Sequence, residues 1–199
     1  MKRGYGLMMA LASLVVLALP PVRNGLESTL IGHMVIQLPL LILCGWILGQ
    51  ALGPIRKQEE ACNRYGLTGL LLALFTLAFW LLPRSLDSAL LEPAYETAKF
   101  VTLPLLAGVP LARSWPRLAA VFRWFLLANI IPMLVVMGWL YEQSPVRLCN
   151  NYLMDQQLLL ARALWAIAGA LALLWILRAF TARPEAVQDT KEDRQDHGV

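Results

Sequence analysis

Six runs of apolar residues, separated by short polar or proline-containing segments, set the pattern of this chain. Each run is close to the ~20 residues that a helix needs to cross a bilayer. The runs cover residues 4–19, 28–53, 66–82, 88–112, 118–141 and 158–180. They predict an all-α polytopic membrane protein, a six-transmembrane-helix bundle over residues 1–180. Residues 181–199 are polar and are predicted to form a disordered cytoplasmic tail.

The fourth run is the least regular of the six. Its uninterrupted apolar part, Phe100 to Ala112, rises only ~20 Å as a helix. A hydrocarbon core of ~30 Å therefore requires residues 88–99 as well. We expect this helix to carry Glu92, Glu96 and Lys99 into the membrane.

Composition agrees with a membrane location. The 199 residues are 58% hydrophobic and 15% charged, with a mean hydropathy of +0.59. A soluble domain usually has about a quarter of its residues charged, so a soluble fold is excluded. The chain has no room for an additional soluble catalytic domain. Its first run ends in Leu19-Pro20-Pro21, which lacks the small-x-small site of a cleaved signal peptide, and we interpret it as an uncleaved helix.

The basic residues predict the orientation. Twelve of the seventeen Lys and Arg residues lie in the N-terminus, the second-to-third and fourth-to-fifth connections, and the tail. Only three lie in the other connections. Because cytoplasmic loops are rich in Lys and Arg, both termini are predicted to be cytoplasmic in a bacterial inner membrane. The net charge of +4 is explained by this topology, and no nucleic-acid partner is expected.

Polar residues from four segments are predicted to meet in the outer third of the bilayer. On the second helix His33 and Gln37 share one face, because they are four residues apart. The fourth helix has polar residues at helical spacing, and the sixth begins with a polar run. This layer contains His33, Gln37, Asp87, Glu92, Tyr95, Glu96, Lys99, Asp155, Gln156, Gln157 and Arg162.

Two interpretations of this layer remain open. Charged residues inside a membrane are costly and usually face the protein interior or water, which favours an outward-facing cavity for a metal, a proton or a small ligand. Alternatively, the charges neutralise one another. Glu92 or Glu96 would then pair with Lys99 within the helix, and another carboxylate would pair with Arg162 between helices.

Soft side chains near the outer face are candidates for binding copper. Cu(I) favours thioether, thiolate and imidazole ligands, and His33, Met34, Cys149 and Met154 are the candidate ligands. Met133 and Met137 could add a soft stripe, although methionine is also an ordinary packing residue. The three cysteines are widely spaced, and no disulfide is predicted.

Enzyme signatures are lacking from the sequence, and we do not expect an enzyme. There is no H-E-x-x-H, G-x-S-x-G or P-loop pattern. With two histidines, one of them His197 in the tail, bis-histidine haem ligation is not expected.

Three segments resemble the CtaG family, membrane proteins associated with assembly of the copper centres of cytochrome c oxidase. Residues 33–41, H-M-V-I-Q-L-P-L-L, resemble that family's H-M-x-x-H run. Residues 79–90 and 105–108 resemble its W-H-x-P…D-x-A-L…L-L-A-G pattern, and Asp155-Gln156-Gln157 resembles its D-Q-Q run. Gln37 and Leu81 replace two family histidines, and others fall near Thr97 and Val101.

The resemblance implies a CtaG-like protein that assists assembly or copper supply of a respiratory oxidase or related metalloenzyme. Its partners would be the lipid bilayer and oxidase subunits or copper proteins, with copper bound and passed on. Two alternatives stay open: a non-catalytic structural or interaction membrane protein, and a small proton-linked permease that uses the face of Glu92, Glu96 and Lys99.

Overall fold

The computed structural model describes residues 2–52, 61–146, 149 and 151–181. Within them the regular elements are helical. They are α1 (Lys2–Ala18), α2 (Pro20–Glu27), a π-helix π1 (Gly32–Gln37), α3 (Leu38–Ala51), α4 (Leu67–Leu81), α5 (Pro83–Leu91), α6 (Pro93–Thr102), a second π-helix π2 (Leu103–Gly108), α7 (Val109–Ser114), α8 (Ala120–Gln143) and α9 (Met154–Thr181). The predicted tail lies outside the described residues, apart from Thr181.

Three helices of the described chain are each long and apolar enough to cross a bilayer: Gly32–Ala51, Ala120–Gln143 and Met154–Arg178. Two further pairs qualify only when each pair is taken as one bent span. Gly4–Ala18 bends by 67° into Pro20–Glu27, and Leu67–Leu81 bends by 69° into Pro83–Leu91. The described residues therefore contain three to five candidate spans. The all-helical class is confirmed for the described residues, and the three to five candidate spans are consistent with a membrane protein.

The two bends and π2 lie at prolines, whose missing N–H interrupts the regular helical hydrogen bonds. Pro20 starts α2 and Pro83 starts α5. The prediction of one helix over residues 88–112 for the fourth run is wrong in its first part. Residues 88–91 belong to α5 and Glu92 is extended, so the helical segment runs from Pro93 to Ser114, with the π turn of π2 at Pro104. π turns frequently occur at functional sites, and π1 contains His33.

Two glycines bring α3 and π2 into direct contact. A Cβ on Gly45 would overlap the Pro104 carbonyl, and one on Gly108 would overlap the Ile42 carbonyl. Small residues allow the backbones of membrane helices to approach this closely. π1 precedes α3 and α6 precedes π2, at the same end of the contact. The contact therefore fixes the positions of π1 and α6 relative to each other.

Helices α8 and α9 pair with each other along the side of the bundle. Trp165 of α9 packs over Gly138 of α8 and donates a hydrogen bond to the Val135 carbonyl at 3.2 Å. On α9, Leu160 and Ala161 are buried in the core cluster. Most of α8 is exposed toward the surroundings of the bundle, as expected for a helix that faces lipid.

Candidate functional site

The most deeply buried charge in the described residues is the Lys99 ammonium, whose residue has 0% exposure. Its Nζ donates to Glu27 Oε1 at 2.6 Å, to His33 Nε2 at 3.1 Å and to Gln37 Oε1 at 3.1 Å. An ammonium has three N–H donors, so these three acceptors use all of them. The acceptors come from α2 and π1, while Lys99 lies on α6.

The bend between α1 and α2 places Glu27 at this site. Because α2 turns across the end of the bundle, the Glu27 carboxylate reaches both Lys99 and Gln37, whose Nε2 donates to Glu27 Oε1 at 2.9 Å. The amide of Gln37 thus donates to the carboxylate and accepts from the ammonium. The Lys99 ammonium, Glu27 Oε1 and the Gln37 amide thus each have hydrogen-bond partners, as a low-dielectric interior requires.

His33 extends the network toward the last helix. Since Nε2 accepts from Lys99, the ring proton lies on Nδ1, which faces the Tyr152 hydroxyl at 3.0 Å. The Tyr152 hydroxyl in turn donates to the Glu27 backbone carbonyl at 2.8 Å. Burial and the nearby Glu27 charge raise the pKa of Tyr152, which keeps the phenol protonated as this donation requires. Both imidazole nitrogens are therefore engaged.

A second ion pair covers the network on its solvent side. Arg23 pairs with Glu96, and its Nε lies 4.0 Å from Glu27 Oε2. Exposure of the side chains falls from 31% at Arg23 to 10% at Glu27 and 0% at Lys99. Carboxylates and cations alternate in the order Glu96, Arg23, Glu27, Lys99. The two negative and two positive charges therefore balance. We call Arg23, Glu27, His33, Gln37, Glu96, Lys99 and Tyr152 the Lys99 network.

A sulfur-containing cluster lies next to the network. The Tyr141 hydroxyl contacts the Met34 sulfur at 3.5 Å and also hydrogen-bonds the Cys149 side chain. Gln157 Nε2 donates to the Tyr141 carbonyl at 3.0 Å and fixes α8 against α9. Burial and the Asp87 charge raise the pKa of Cys149 to about 11, so this cysteine is a thiol at neutral pH.

The four predicted copper ligands are not brought to one point by their contacts. Met34 and Cys149 meet at Tyr141, whereas His33 uses both nitrogens within the Lys99 network. Met154 is half-buried at the first position of α9. Among the described residues, no group of three or more His, Cys, Asp and Glu side chains could hold a metal ion.

The predicted polar residues separate into three sets. Gln37, Glu96 and Lys99 belong to the network. Asp87, Gln156 and Gln157 instead hold segments together: Asp87 accepts from Asn151, and Gln156 accepts from the Leu30 N–H at 3.1 Å. The third set, Glu92, Asp155 and Arg162, is exposed at the surface of the bundle.

The pairing within the layer differs from the expectation based on the fourth helix alone. The carboxylate hydrogen-bonded to Lys99 is Glu27, and Glu96 pairs with Arg23. Two features of the sequence point to Glu27. Pro20-Pro21 is typical of the start of a helix, and the i, i+4 spacing of Arg23 and Glu27 would pair them on one face of that short helix. Tyr152 carries no comparable signal, because its contacts depend on how the last connection folds.

An apolar groove lies between α4 and α6, beside the network. Its volume is ≈ 260 Å³, and it is lined by Thr76, Phe79, Trp80, Ala94, Tyr95, Ala98 and Thr102. Trp80 Nε1 donates to Thr102 Oγ1 at 2.8 Å and holds the two helices together. A groove with this lining fits an acyl chain better than a charged ligand.

Comparison with protein-family models, curated proteins and solved structures gives no match to this chain.

Proposed function

We propose that this chain is a non-catalytic membrane protein of six spans that acts through contacts with other membrane proteins. The observation that carries the proposal is the closed arrangement around Lys99, in which all three ammonium donors are used by side chains of the same chain. A transport or catalytic site needs polar groups that are open to a ligand. Here the central polar groups join α2, π1, α6 and the segment before α9, which suits a rigid scaffold.

The six-span topology combines the three long helices, the two bent pairs and the helical segment from Pro93 to Ser114. The segment from Pro93 to Ser114 carries Lys99. Because the ammonium of Lys99 pairs with Glu27, this charge is neutralised inside the bundle. The distribution of basic residues favours a bacterial inner membrane with both termini in the cytoplasm.

The partner that we propose is a respiratory oxidase or a related metalloenzyme during its assembly. Support comes from the CtaG-like motifs of the sequence, because their polar residues lie at one end of the bundle. His33 and Gln37 lie in the Lys99 network, Asp87 bonds to Asn151, and Gln156 and Gln157 fix the start of α9. The role is to hold the partner during assembly.

The test is deletion of the gene in its native host, with oxidase activity and assembled oxidase measured in isolated membranes. Wild-type protein should restore both quantities, and Glu92→Gln should do the same because Glu92 is exposed and outside the network. Lys99→Met should fail in proportion to its loss of folded protein. Unchanged oxidase activity and assembly in the deletion strain would refute the proposal.

Copper supply is a second candidate, favoured by the meeting of Met34 and Cys149 at the Tyr141 hydroxyl. The residues fit copper in part: both groups are soft donors, but the thiol must lose its proton to bind, and His33 is already engaged. Copper content of the purified protein under reducing conditions tests this role. Wild type should hold about one copper and Cys149→Ser should hold none, with His33→Ala unchanged; a copper-free wild type ends this candidate.

A further inference from the structure

Arg162 lies on the outward surface of α9 instead of in the polar layer for which its sequence position is suited. It is eight residues from the start of the helix, or ~12 Å along the axis. Its side chain is exposed and makes no hydrogen bond or ion pair with a residue that the structure describes. An arginine on the lipid-facing side of an apolar span is costly unless its head group reaches the interface or a negative group meets it.

The residues that share this face of α9 run along most of its length. They recur at intervals of three, four or seven, the spacing of one helix side, and all are exposed. We call this surface the α9 face, and it consists of Asp155, Arg162, Ala166, Gly169, Leu173 and Ile176. The opposite side of α9, with Leu160 and Ala161, is buried in the core.

We propose that the α9 face docks a membrane-spanning helix of a different protein, and that this helix carries a carboxylate at the depth of Arg162. The inference rests on the proposed function as a contact protein and specifies the partner. Charge complementarity selects the carboxylate, because it pairs a guanidinium that has no partner among the described residues. Gly169 has no atom within 4 Å of an added Cβ, so a partner helix can approach closely below the ion pair.

The same charge argues against a second copy of this chain. Copies in one membrane share an orientation, so a two-fold contact through the α9 face would place Arg162 opposite Arg162 at equal depth. Like charges in that position repel. Asp155 lies about two turns nearer the helix start and adds a second requirement, a donor or cation on the partner at that level.

The test uses the full chain in phosphatidylcholine liposomes, labelled at the exposed Cys62. The probe is a synthetic Leu/Ala transmembrane peptide with one Glu at the depth of Arg162, compared with the same peptide carrying Gln. Energy transfer should show at least tenfold tighter association of the Glu peptide. Arg162→Gln should abolish this preference, whereas Arg84→Gln should keep it, because Arg84 is an exposed arginine of α5 outside the α9 face.

Three results would overturn the inference. The first is equal association of the Glu and Gln peptides. The second is energy transfer between differently labelled copies of the chain that Arg162→Gln removes, which would identify a second copy as the occupant. The third is retention of anionic over neutral phospholipid that depends on Arg162, since lipid phosphate would then be the group that meets the guanidinium.

Complementation separates this inference from the proposed function. If gene deletion leaves the oxidase unchanged while the Glu peptide still prefers wild type, the oxidase role fails and the docking surface stands. If deletion lowers oxidase activity and Arg162→Gln restores it fully, the oxidase role stands and the docking surface fails.

Discussion

Replacing Lys99 by Met tests whether the Lys99 network stabilises the fold. Methionine has a similar length and suits the apolar surroundings, but it removes the donor that three acceptors share. Removing one partner of a buried ion pair leaves the other uncompensated and costs about 3–5 kcal/mol. The Glu27 carboxylate, only 10% exposed, loses its buried ammonium partner and keeps only the Gln37 amide and the longer Arg23 contact at 4.0 Å. We therefore expect the free energy of unfolding to fall by about 3–5 kcal/mol.

A double-mutant cycle tests whether this loss comes from the ion pair between Lys99 and Glu27. Glu27→Gln alone leaves the ammonium unpaired and should cost a similar amount, whereas the combination with Lys99→Met removes both charges. Because replacing both members of a buried pair is often close to neutral, the double variant should lose at least ~2 kcal/mol less than the sum of the single losses.

The assay is unfolding by sodium dodecyl sulfate in dodecyl maltoside micelles, followed by tryptophan fluorescence. Glu92→Gln serves as the matched control, because this carboxylate is exposed. Its free energy of unfolding should stay within ~0.5 kcal/mol of wild type. A Lys99→Met protein within ~1 kcal/mol of wild type would refute the reasoning. So would additive single losses, since they would mean that the two charges do not interact.

Three further predictions concern hydrogen bonding, packing and thiol chemistry. Tyr152→Phe should lower the free energy of unfolding by about 1–3 kcal/mol, because it leaves a buried ring N–H without an acceptor; an unchanged unfolding curve would contradict the assigned tautomer. Gly45→Ala should cost about 1–3 kcal/mol by overlap with a backbone carbonyl, while Gly169→Ala, which meets open space, should stay within ~0.5 kcal/mol; equal effects would contradict the helix contact. Cys149 should react with maleimide at pH 8 at least ~100-fold more slowly than Cys62, because burial raises its pKa to about 11 and so lowers the thiolate fraction. Its rate should rise as the pH approaches 11, and equally fast labelling at pH 8 would show that the thiol is accessible.

The sequence predicts much of the fold because hydropathy acts locally. The runs at 28–53, 66–82, 118–141 and 158–180 correspond to helices of the structure, with ends shifted by a few residues. The prolines at positions 20 and 83 predict breaks between helices. The bend angles, however, depend on what the short helices α2 and α5 pack against.

The site is less predictable, because its contacts join distant segments. The spacing on the fourth helix placed Lys99 in the polar layer, yet its carboxylate partner lies 72 residues away and could not be chosen from local pattern. Arg162 was expected in the interior. Helix α9 is apolar on nearly every side, so its sequence does not reveal which side faces the bundle.

The order of residues around Lys99 has a consequence for synthesis of the protein. Glu27, His33 and Gln37 all precede Lys99, so every acceptor of the ammonium has left the ribosome before the lysine does. A lysine that enters the bilayer alone is costly. In the proposed topology, a carboxylate, an imidazole and an amide are already in the membrane when Lys99 arrives. Tyr152 arrives last and closes over the histidine. In the proposed six-span topology, the N-terminal third of the chain therefore acts as the receptor into which the charged fourth segment is inserted.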